Sequence, residues 1–391
     1  MIQVLNEKDC CGCGACVAVC PKQCIKMKEG TLGSLFPIVE NQTCISCGAC
    51  ERVCPIKSVY SFEEYDQLAF AAYANDKAIR KEGSSGGMFQ IFANKIFSYD
   101  GIVYGAAFDN ELKLKCVAAH TEEDLKPLLK SKYLQSSSYE KFAEIKARLN
   151  ENKVILFVST PCQVAALKSY LHKEYKNLIT VDFFCHGVPS QKFFDECIEF
   201  DERTKYRGKV LNYTFREKKR HGSTPHYYSC DYETNGVIKH CFGYYFDSTF
   251  YAAFQKYICL RESCYNCRFY GRKRFSDITI GDFHEIDRYI NGINRFDGVS
   301  TVIINSTKGG ELFNSCKDKL TLYPMDIDRM ICDKVCLSAC TEKPNQREEF
   351  VAVYNRDGIE GVYKKYLNPK FYLKNRIYYG LPFFIRRLIK R

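Results

Sequence analysis

Two cysteine runs stand near the start of the chain, and their spacing limits the chemistry that they can do. The first run has the pattern C-x2-C-x2-C-x3-C-P and consists of Cys10, Cys13, Cys16, Cys20 and Pro21. The second run repeats that pattern with Cys44, Cys47, Cys50, Cys54 and Pro55. Three thiolates at this spacing can surround one face of an iron–sulfur cubane, while the fourth reaches another cluster. The pattern therefore predicts two interlocked 4Fe-4S clusters.

The segment with both runs resembles the two-cluster bacterial ferredoxins over residues 1–60. The resemblance implies that the fourth cysteine of each run binds the cluster of the other run. One cluster is then assigned to Cys10, Cys13, Cys16 and Cys54, and the other to Cys44, Cys47, Cys50 and Cys20. A pair of zinc knuckles is the alternative, although zinc sites use isolated CxxC pairs. Cys11 and Cys24 lie outside the pattern and are interpreted as bystanders.

The composition indicates a globular protein that uses thiols for metal binding. The chain has 391 residues, 46% of them hydrophobic, and 23 cysteines. We find no N-terminal apolar segment with a cleavage site, so we expect a cytoplasmic protein and not a secreted disulfide scaffold. No apolar run reaches the length of about 18 residues that a membrane-spanning helix needs.

The net charge of +11 is concentrated at the C-terminus. Residues 362–391 contain nine Lys or Arg and no Asp or Glu, so the rest of the chain is nearly neutral. We interpret residues 341–391 as a basic aromatic tail. Such a segment can lie on an anionic membrane surface as a peripheral contact, or it can dock as a helix on the protein or on an acidic partner. We expect no nucleic-acid partner, because no binding motif accompanies the charge.

The residues that follow the first 62 have the pattern of an α/β domain. Strands are predicted at "GIVYGAAF", "LKLKCVAAH" and "VILFVS", and the last is followed directly by the helical pattern "TPCQVAALKSYL". That unit places Cys162 at a helix N-terminus, where the dipole favours a thiolate. In a second unit, "LITVDFFCHGVPSQKFFDECIEF", the strand ends at Cys185. Ligands of open α/β sheets bind at such strand ends.

Further strands are predicted in the second half of the chain. "HYYSCDYETNGVIKHCFGYYF" predicts a hairpin with a turn at Asn235 and Gly236, and "DITIGDF" and "GVSTVIINST" predict two more strands. The sequence has no GxGxxG, GxxxxGK[ST] or CxxxCxxC motif. Rossmann-type nicotinamide binding, P-loop chemistry and radical-SAM chemistry therefore lack their usual sequence support.

The ordered set of motifs resembles the beta-subunit family of coenzyme F420 hydrogenases and dehydrogenases. These motifs are the cysteine runs, "KEGSSGGMF", "SKYLQSS", "STPCQVAALKSYL", "DFFCHGVPS" and "CLRESCYNCRFYGRKRFSDITIGDF". Members of the family are iron–sulfur flavoproteins that contain FAD and act on an organic substrate, which is the deazaflavin F420 in archaeal members. The resemblance covers about residues 1–340 and implies a ferredoxin-like domain at 1–62 and a mixed-sheet α/β flavin and iron–sulfur domain at 63–340.

The family pattern implies a third 4Fe-4S cluster. Cys264 and Cys267 form a CxxC and need two more thiolates, which the pattern supplies from the strand ends as Cys162 and Cys185. Cys259 is the rival for one of these places. A zinc ion held by the same residues and plain buried thiols are the alternatives.

A flavin site is predicted from two polar stretches. Ser84, Ser85, Gly86 and Gly87 form a loop that opens onto a helix, an arrangement that presents N–H groups to a pyrophosphate. Lys132, Tyr133, Gln135 and Ser136 add a cation, a stacking ring and hydrogen-bonding groups. An ordinary capped helix and a solvated loop are the alternatives. The run Arg272–Arg274 is interpreted as an exposed loop, with a contact for an acidic coenzyme or a ferredoxin as the alternative.

Together these features predict an iron–sulfur flavoprotein oxidoreductase with no assigned catalytic residue. We expect it to pass electrons between its clusters, FAD and an organic acceptor such as coenzyme F420 or another small molecule. A ferredoxin or a complex subunit would be its redox partner protein. The alternative is an electron-transfer adaptor subunit of a larger complex, without a substrate of its own.

Overall fold

The structure is a computed structural model that describes residues 1–4, 6–57, 65–218, 226–284, 286–293, 297–328, 330 and 335–380. The predicted boundary between residues 62 and 63 lies outside the described residues. The described part divides into an N-terminal module, up to residue 57, and an α/β domain from residue 65 onward.

The N-terminal module contains two short helices and one hairpin. In chain order its elements are α1 (Ala15–Ala18), β1 (Ile25–Glu29), β2 (Leu35–Val39) and α2 (Ala49–Arg52). β1 and β2 pair in antiparallel fashion. Each helix begins directly after a glycine with a left-handed backbone: φ is 72° at Gly14 and 71° at Gly48. The two cysteine runs therefore fold as two copies of one loop and helix.

The strands of the α/β domain form one large mixed sheet and one smaller sheet. They are β3 (Leu68–Ala74), β4 (Ile102–Phe108), β5 (Leu114–Ala119), β6 (Ile155–Val158), β7 (Leu178–Phe183), β8 (Lys209–Val210), β9 (Thr214–Phe215), β10 (Tyr227–Thr234), β11 (Val237–Tyr244), β12 (Ile278–Asp282), β13 (Ser300–Ile304) and β14 (Leu320–Met325). The large sheet has the order β14-β3-β13-β12-β7-β6-β4-β5. Its four central strands, β12, β7, β6 and β4, run parallel, and its other neighbours pair antiparallel. This arrangement confirms the predicted strands and the mixed α/β fold class.

Helices cover both faces of the large sheet. The helices of this domain are α3 (Lys77–Glu82), α4 (Met88–Phe97), α5 (Glu122–Leu125), α6 (Phe142–Asn150), α7 (Pro161–Leu171), α8 (Gln191–Asp201), α9 (Thr249–Gln255), α10 (Thr307–Asn314), α11 (Val335–Ser338), α12 (Arg347–Val362) and α13 (Leu373–Gly380). α4 and α10 pack on one face, and α6 and α7 pack on the other. Burial on both sides explains why the sequence of β6 is continuously apolar.

The N-terminal module packs on α7, and this contact places its metal-binding loops beside the sheet. Ala15 of α1 and Val53, which follows α2, are fully buried in the same apolar cluster as Val164 and Ala165 of α7. α7 is therefore buried nearly all round, between the sheet and the module.

The smaller sheet and the C-terminal helices share an aromatic core. β10 pairs with β11, β8 and β9, and the β10–β11 turn at Asn235 and Gly236 confirms the predicted hairpin. Phe350, Val353 and Val362 of α12 are buried in this core with α8 and α9. The predicted tail therefore includes a helix, α12, that is docked on the body of the protein. Residues 381–391 of the tail lie outside the described residues. Within the described residues, no helix combines the length and the apolar character needed to cross a membrane.

Candidate metal centres and a neighbouring polar site

The outer set of thiols, Cys20, Cys44, Cys47 and Cys50, lines one cavity of the N-terminal module. Backbone N–H groups face two of its sulfur atoms: Ile2 N lies 3.3 Å from Cys50 Sγ, and Ser46 N lies 3.4 Å from Cys44 Sγ. Cys47 is exposed. The structure thus brings the fourth cysteine of the first run next to three of the second, in the combination that the resemblance implies.

The inner set, Cys10, Cys13, Cys16 and Cys54, lines a second cavity of about 380 Å³. Gly12 N lies 3.4 Å from Cys10 Sγ. Burial raises the pKa of Cys16 to about 12, and the neighbouring thiols Cys10 and Cys54 contribute to that rise. Four thiols around one cavity fit a metal centre, because metal binding replaces their protons and compensates the charge of the thiolates.

The guanidinium of Arg261 joins the inner set to the α/β domain. Its Nε donates to Cys10 O at 2.8 Å, and its Nη2 donates to Leu35 O at 2.6 Å and lies 3.9 Å from Cys10 Sγ. Its Nη1 donates to Gln135 Oε1 at 3.2 Å. Sequence reasoning missed Arg261, although it stands between Cys259 and Cys264, because spacing alone does not reveal a buried cation.

The sheet-edge set, Cys162, Cys185, Cys264 and Cys267, gathers where β6 and β7 end. Cys162 lies in the first turn of α7, and Cys185 follows β7. Cys185 interacts electrostatically with the other three thiols. A Cβ atom on Gly187, two residues after Cys185, would lie 3.3 Å from Cys264 Sγ. The two predicted strand ends and the CxxC therefore meet at one place.

Backbone donors and burial make the sheet-edge set similar to the other two. Phe269 N lies 3.4 Å from Cys267 Sγ, and the Val188 backbone favours the thiolate form of Cys264. Burial raises the pKa of Cys264 to about 12 and that of Cys267 to about 11. Among the described residues, no three Cys, His, Asp or Glu side chains already form a site for a single metal ion, and all described cysteines are free thiols.

Two other cysteines have positions that the sequence left open. Cys259, the rival ligand, is buried in the aromatic core, where it interacts with Arg347 and Cys197. Cys11, which lies outside the cysteine pattern, is buried in one cluster with Cys13 and Cys162, and its thiol interacts with both of theirs. Cys11 therefore connects the inner set with the sheet-edge set.

A polar site surrounds the loop Ser84–Gly87. Arg216 forms a two-point ion pair with Asp282, with distances of 2.6 Å and 2.9 Å, and also donates to Ser84 O at 3.1 Å. Lys218 Nζ donates to Ser85 O at 2.6 Å. Sequence reasoning missed Arg216, Lys218 and Asp282. The position of Asp282 at the carboxyl end of β12 was the one signal that could have indicated it.

The loop opens onto α4 through two glycines with different roles. Gly87 has a φ of 86° and precedes the helix, and no side chain caps the first turn. A Cβ atom on Gly86 would lie 2.5 Å from Ala72 O, so the close approach to β3 requires glycine. The uncapped start of a ten-residue helix fits the predicted binding of an anionic group.

Burial shifts the pKa values of the acidic and the basic groups of the polar site in opposite directions. Burial raises the pKa of Asp282, but Arg216 outweighs this effect and holds it well below its ordinary value. Burial lowers the pKa of Lys218 to about 8 and that of His226 to about 3. His226 Nδ1 is buried, and no described residue forms a hydrogen bond with it. His284 Nε2 lies 3.8 Å from Asp282 Oδ2.

Of the second predicted flavin stretch, the structure brings Tyr133 to the polar site. Tyr133 OH accepts from Arg216 Nη1 at 3.2 Å, and its ring stacks on Phe254 at 4.4 Å. The other three side chains have partners elsewhere. Lys132 donates to Pro127 O and Leu129 O, Gln135 donates to Cys11 O and Gly12 O, and Ser136 donates to Gln163 Oε1.

The interpretation of Arg272–Arg274 as an exposed loop is wrong for Arg274. The Arg274 side chain is 2% exposed, and its Nε lies 3.7 Å from Asp182 Oδ2. The carboxylate of the β7 strand accounts for the burial of this cation, whereas Arg272 is half exposed. A run of cations in the sequence does not show which member turns inward.

Comparison with known proteins identifies two segments of the chain. The family model for the C terminus of the coenzyme F420 hydrogenase/dehydrogenase beta subunit matches residues 152–329, and a 4Fe-4S dicluster domain model matches residues 9–64. No curated protein matches the chain. Among solved structures, the xenon-derivatised F420-reducing NiFe hydrogenase complex from Methanosarcina barkeri is similar, with 17% identity and a TM-score of 0.44. That match covers 79% of this chain and 95% of the other.

Proposed function

We propose that the chain is an iron–sulfur flavoprotein oxidoreductase, because residues 152–329 match the C terminus of the coenzyme F420 hydrogenase/dehydrogenase beta subunit and residues 9–64 match a 4Fe-4S dicluster domain. It passes electrons between 4Fe-4S clusters, FAD and an organic acceptor such as coenzyme F420 or another small molecule. The observation that carries this proposal is the gathering of the sheet-edge set beside the inner set. A third metal centre at that place links the ferredoxin-like module to the interior of the α/β domain.

The three sets of thiols lead from the N-terminal module to the sheet edge of the α/β domain. Cys47 of the outer set is exposed, whereas Cys13 of the inner set is buried. The sheet-edge set lies next to Cys11, on the side of the α/β domain, and its four thiols are half-buried. The interaction with Cys11 raises the pKa of Cys162, and burial raises the pKa of the other three thiols. A redox partner protein, either a ferredoxin or a complex subunit, would therefore exchange electrons at the outer set. We also propose a cytoplasmic location, where reducing conditions keep thiols available for metal.

The polar site is proposed to hold FAD. The loop Ser84–Gly87 and the start of α4 would bind the pyrophosphate, with Lys218 as a neighbouring cation. Tyr133 and His226 would border the ring system. Bound flavin supplies the exchange between one-electron and two-electron chemistry. The ionised pair of Arg216 and Asp282 holds the loop carbonyl of Ser84 in place, and His284, 3.8 Å from Asp282, can hold a proton on Nε2.

The test is a measurement of iron, sulfide, zinc and extracted flavin on protein purified without oxygen. With four iron atoms in each of three clusters, we expect about twelve iron and one FAD per chain. About eight iron with zinc and no flavin would overturn both the third cluster and the flavoenzyme, because two clusters account for that iron. About twelve iron without flavin would leave the adaptor subunit as the function.

Two variants examine the sheet-edge set directly, and a third is their control. Cys185→Ala and Cys264→Ala each remove one thiol of the set, so iron should fall by about four atoms per chain while zinc stays absent. Cys259→Ala removes a buried thiol outside the set. Its iron should equal that of the unchanged protein. An equal loss of iron in all three variants would contradict the assignment.

A further inference from the structure

Arg261 differs from the other buried arginines in its charge partner. Four arginines are buried among the described residues, and three of them pair with a carboxylate. These pairs are Arg216 with Asp282 at 2.6 Å, Arg347 with Glu262 at 3.3 Å, and Arg274 with Asp182 at 3.7 Å. Arg261 is 1% exposed, and no carboxylate of the described residues lies within ion-pair distance of it.

The hydrogen bonds of Arg261 leave its charge uncompensated by protein groups. Its acceptors are the carbonyl oxygens of Cys10 and Leu35 and the amide oxygen of Gln135, all of them neutral. A buried charge without a counter-charge costs several kcal/mol. The Cys10 sulfur, 3.9 Å from Nη2, belongs to a set of four thiols whose metal centre would be anionic. Arg261 also interacts electrostatically with Cys162 and Cys264 of the sheet-edge set, but its hydrogen bonds go to the loop of the inner set. The inner set is therefore the principal counter-charge of Arg261.

We propose that Arg261 raises the reduction potential of the cluster in the inner set above that of the cluster in the outer set. Reduction adds one negative charge, and a nearby cation in a low-dielectric interior favours the form with the greater negative charge. One electron then moves from the outer cluster, which is oxidised, to the inner cluster, which is reduced. This inference rests on the ligand sets proposed above.

The outer set has a cation too, but solvent weakens its effect. Arg52 Nη1 donates to Cys47 O at 3.0 Å, and the Arg52 side chain is exposed. Interactions of exposed charges are screened by water and salt. In the first run, Gly12 allows the Arg261 guanidinium to approach the loop closely, because a Cβ atom at this position would lie 2.5 Å from Arg261 Nη1. In the second run, Ser46 stands at the place of Gly12.

The test is a redox titration of the holoprotein, monitored by electron paramagnetic resonance, with Arg261→Gln and Arg52→Gln compared. In Arg261→Gln, the ratio of reduced to oxidised inner cluster at a fixed potential should fall about tenfold, which is a shift of about 59 mV for one electron. The titration of the outer cluster should stay unchanged. Arg52→Gln should move neither cluster. Unchanged potentials in Arg261→Gln, or equal shifts in both variants, would overturn the inference.

A second variant keeps the test decisive if Arg261→Gln does not fold. Gln135→Glu places a carboxylate against Arg261 Nη1, where the amide oxygen now lies 3.2 Å away, and keeps the guanidinium in place. The potential of the inner cluster should fall in the same direction, and no change would overturn the proposal. Iron is measured on the same samples. If the protein without substitutions lacks the expected iron, the proposed ligand sets are wrong. If all samples contain the expected iron but the potential of the inner cluster stays constant, only the proposed role of Arg261 is refuted.

Discussion

The two cysteine runs share one local fold but have opposite surroundings. Each turns at a glycine with nearly the same left-handed backbone, Gly14 or Gly48, and continues into a helix of four residues. At the second position of the first run, Cys11 is buried against Cys162. The matching residue of the second run, Ile45, is 58% exposed. The motif specifies the loop, and contacts with the α/β domain decide which copy faces the interior.

This difference gives the two copies different neighbours within one module. The first run is held by Arg261 and packs on α7, so it connects to the sheet edge. The second run leaves Cys47 exposed, where another protein can approach. A repeated motif therefore yields a directional arrangement once one copy is docked. Three measurements would break or sharpen this comparison.

The largest expected effect comes from adding one methyl group to each turn. A Cβ atom on Gly14 would lie 2.0 Å from the ring of Tyr139, whereas a Cβ atom on Gly48 would have only Arg52 Nη1 nearby, at 3.1 Å. Both substitutions cost about 1–2 kcal/mol for the left-handed backbone. Gly14→Ala should cost a further ~1–3 kcal/mol for overpacking.

The measurement is the apparent thermal midpoint of each variant, taken without oxygen at one scan rate. Gly14→Ala should lower the midpoint clearly more than Gly48→Ala does. Equal midpoints would mean that the module does not dock on Tyr139 as described, and the contrast between the runs would fail. Gly48→Ala is the matched control, because it carries the same backbone strain without the clash.

The next effect concerns the order in which the two clusters are lost. Exposure of Cys47 gives a chelator or oxygen direct access to the outer set, while the buried Cys13 protects the inner set. Iron should leave the N-terminal module in two phases, with about four atoms lost in the first phase. The rate of iron release under a chelator is the readout. A single phase that removes the iron of both clusters together would contradict the difference in accessibility.

Much of this architecture could be predicted from the sequence, because local patterns determine it. The cysteine spacing indicated which thiols would share a cavity, and period-2 and apolar patterns located β6, β7 and the β10–β11 hairpin. Cys162 at a helix start followed from a strand directly before a helical pattern. These features depend on neighbours a few residues apart.

What the sequence did not reveal depends on contacts between distant segments. Arg261 and Arg216 are ordinary cations in the sequence, and only the folded chain places them at Cys10 and Asp282. Gln135 was expected near the flavin, yet it donates to the loop of the inner set, 123 residues away in the chain. Local pattern gives no information about such partners. The sequence therefore indicated which cysteines gather better than which charged groups lie beside them.

The smallest expected effect concerns electron exchange with an external protein. Ile45 is 58% exposed and lines the cavity of the outer set, so a carboxylate there would disturb docking of a partner at that cluster. Ile45→Asp should slow reduction by an external ferredoxin severalfold, because a rim charge chiefly changes the association rate. Stability should change by less than about 0.5 kcal/mol, as for other surface substitutions. Ile38→Asp is the matched control, since Ile38 is 49% exposed on β2 of the same module. If both variants slow reduction equally in stopped-flow experiments, the second run is not the entry point, and the division of roles between the two runs would need to be reversed.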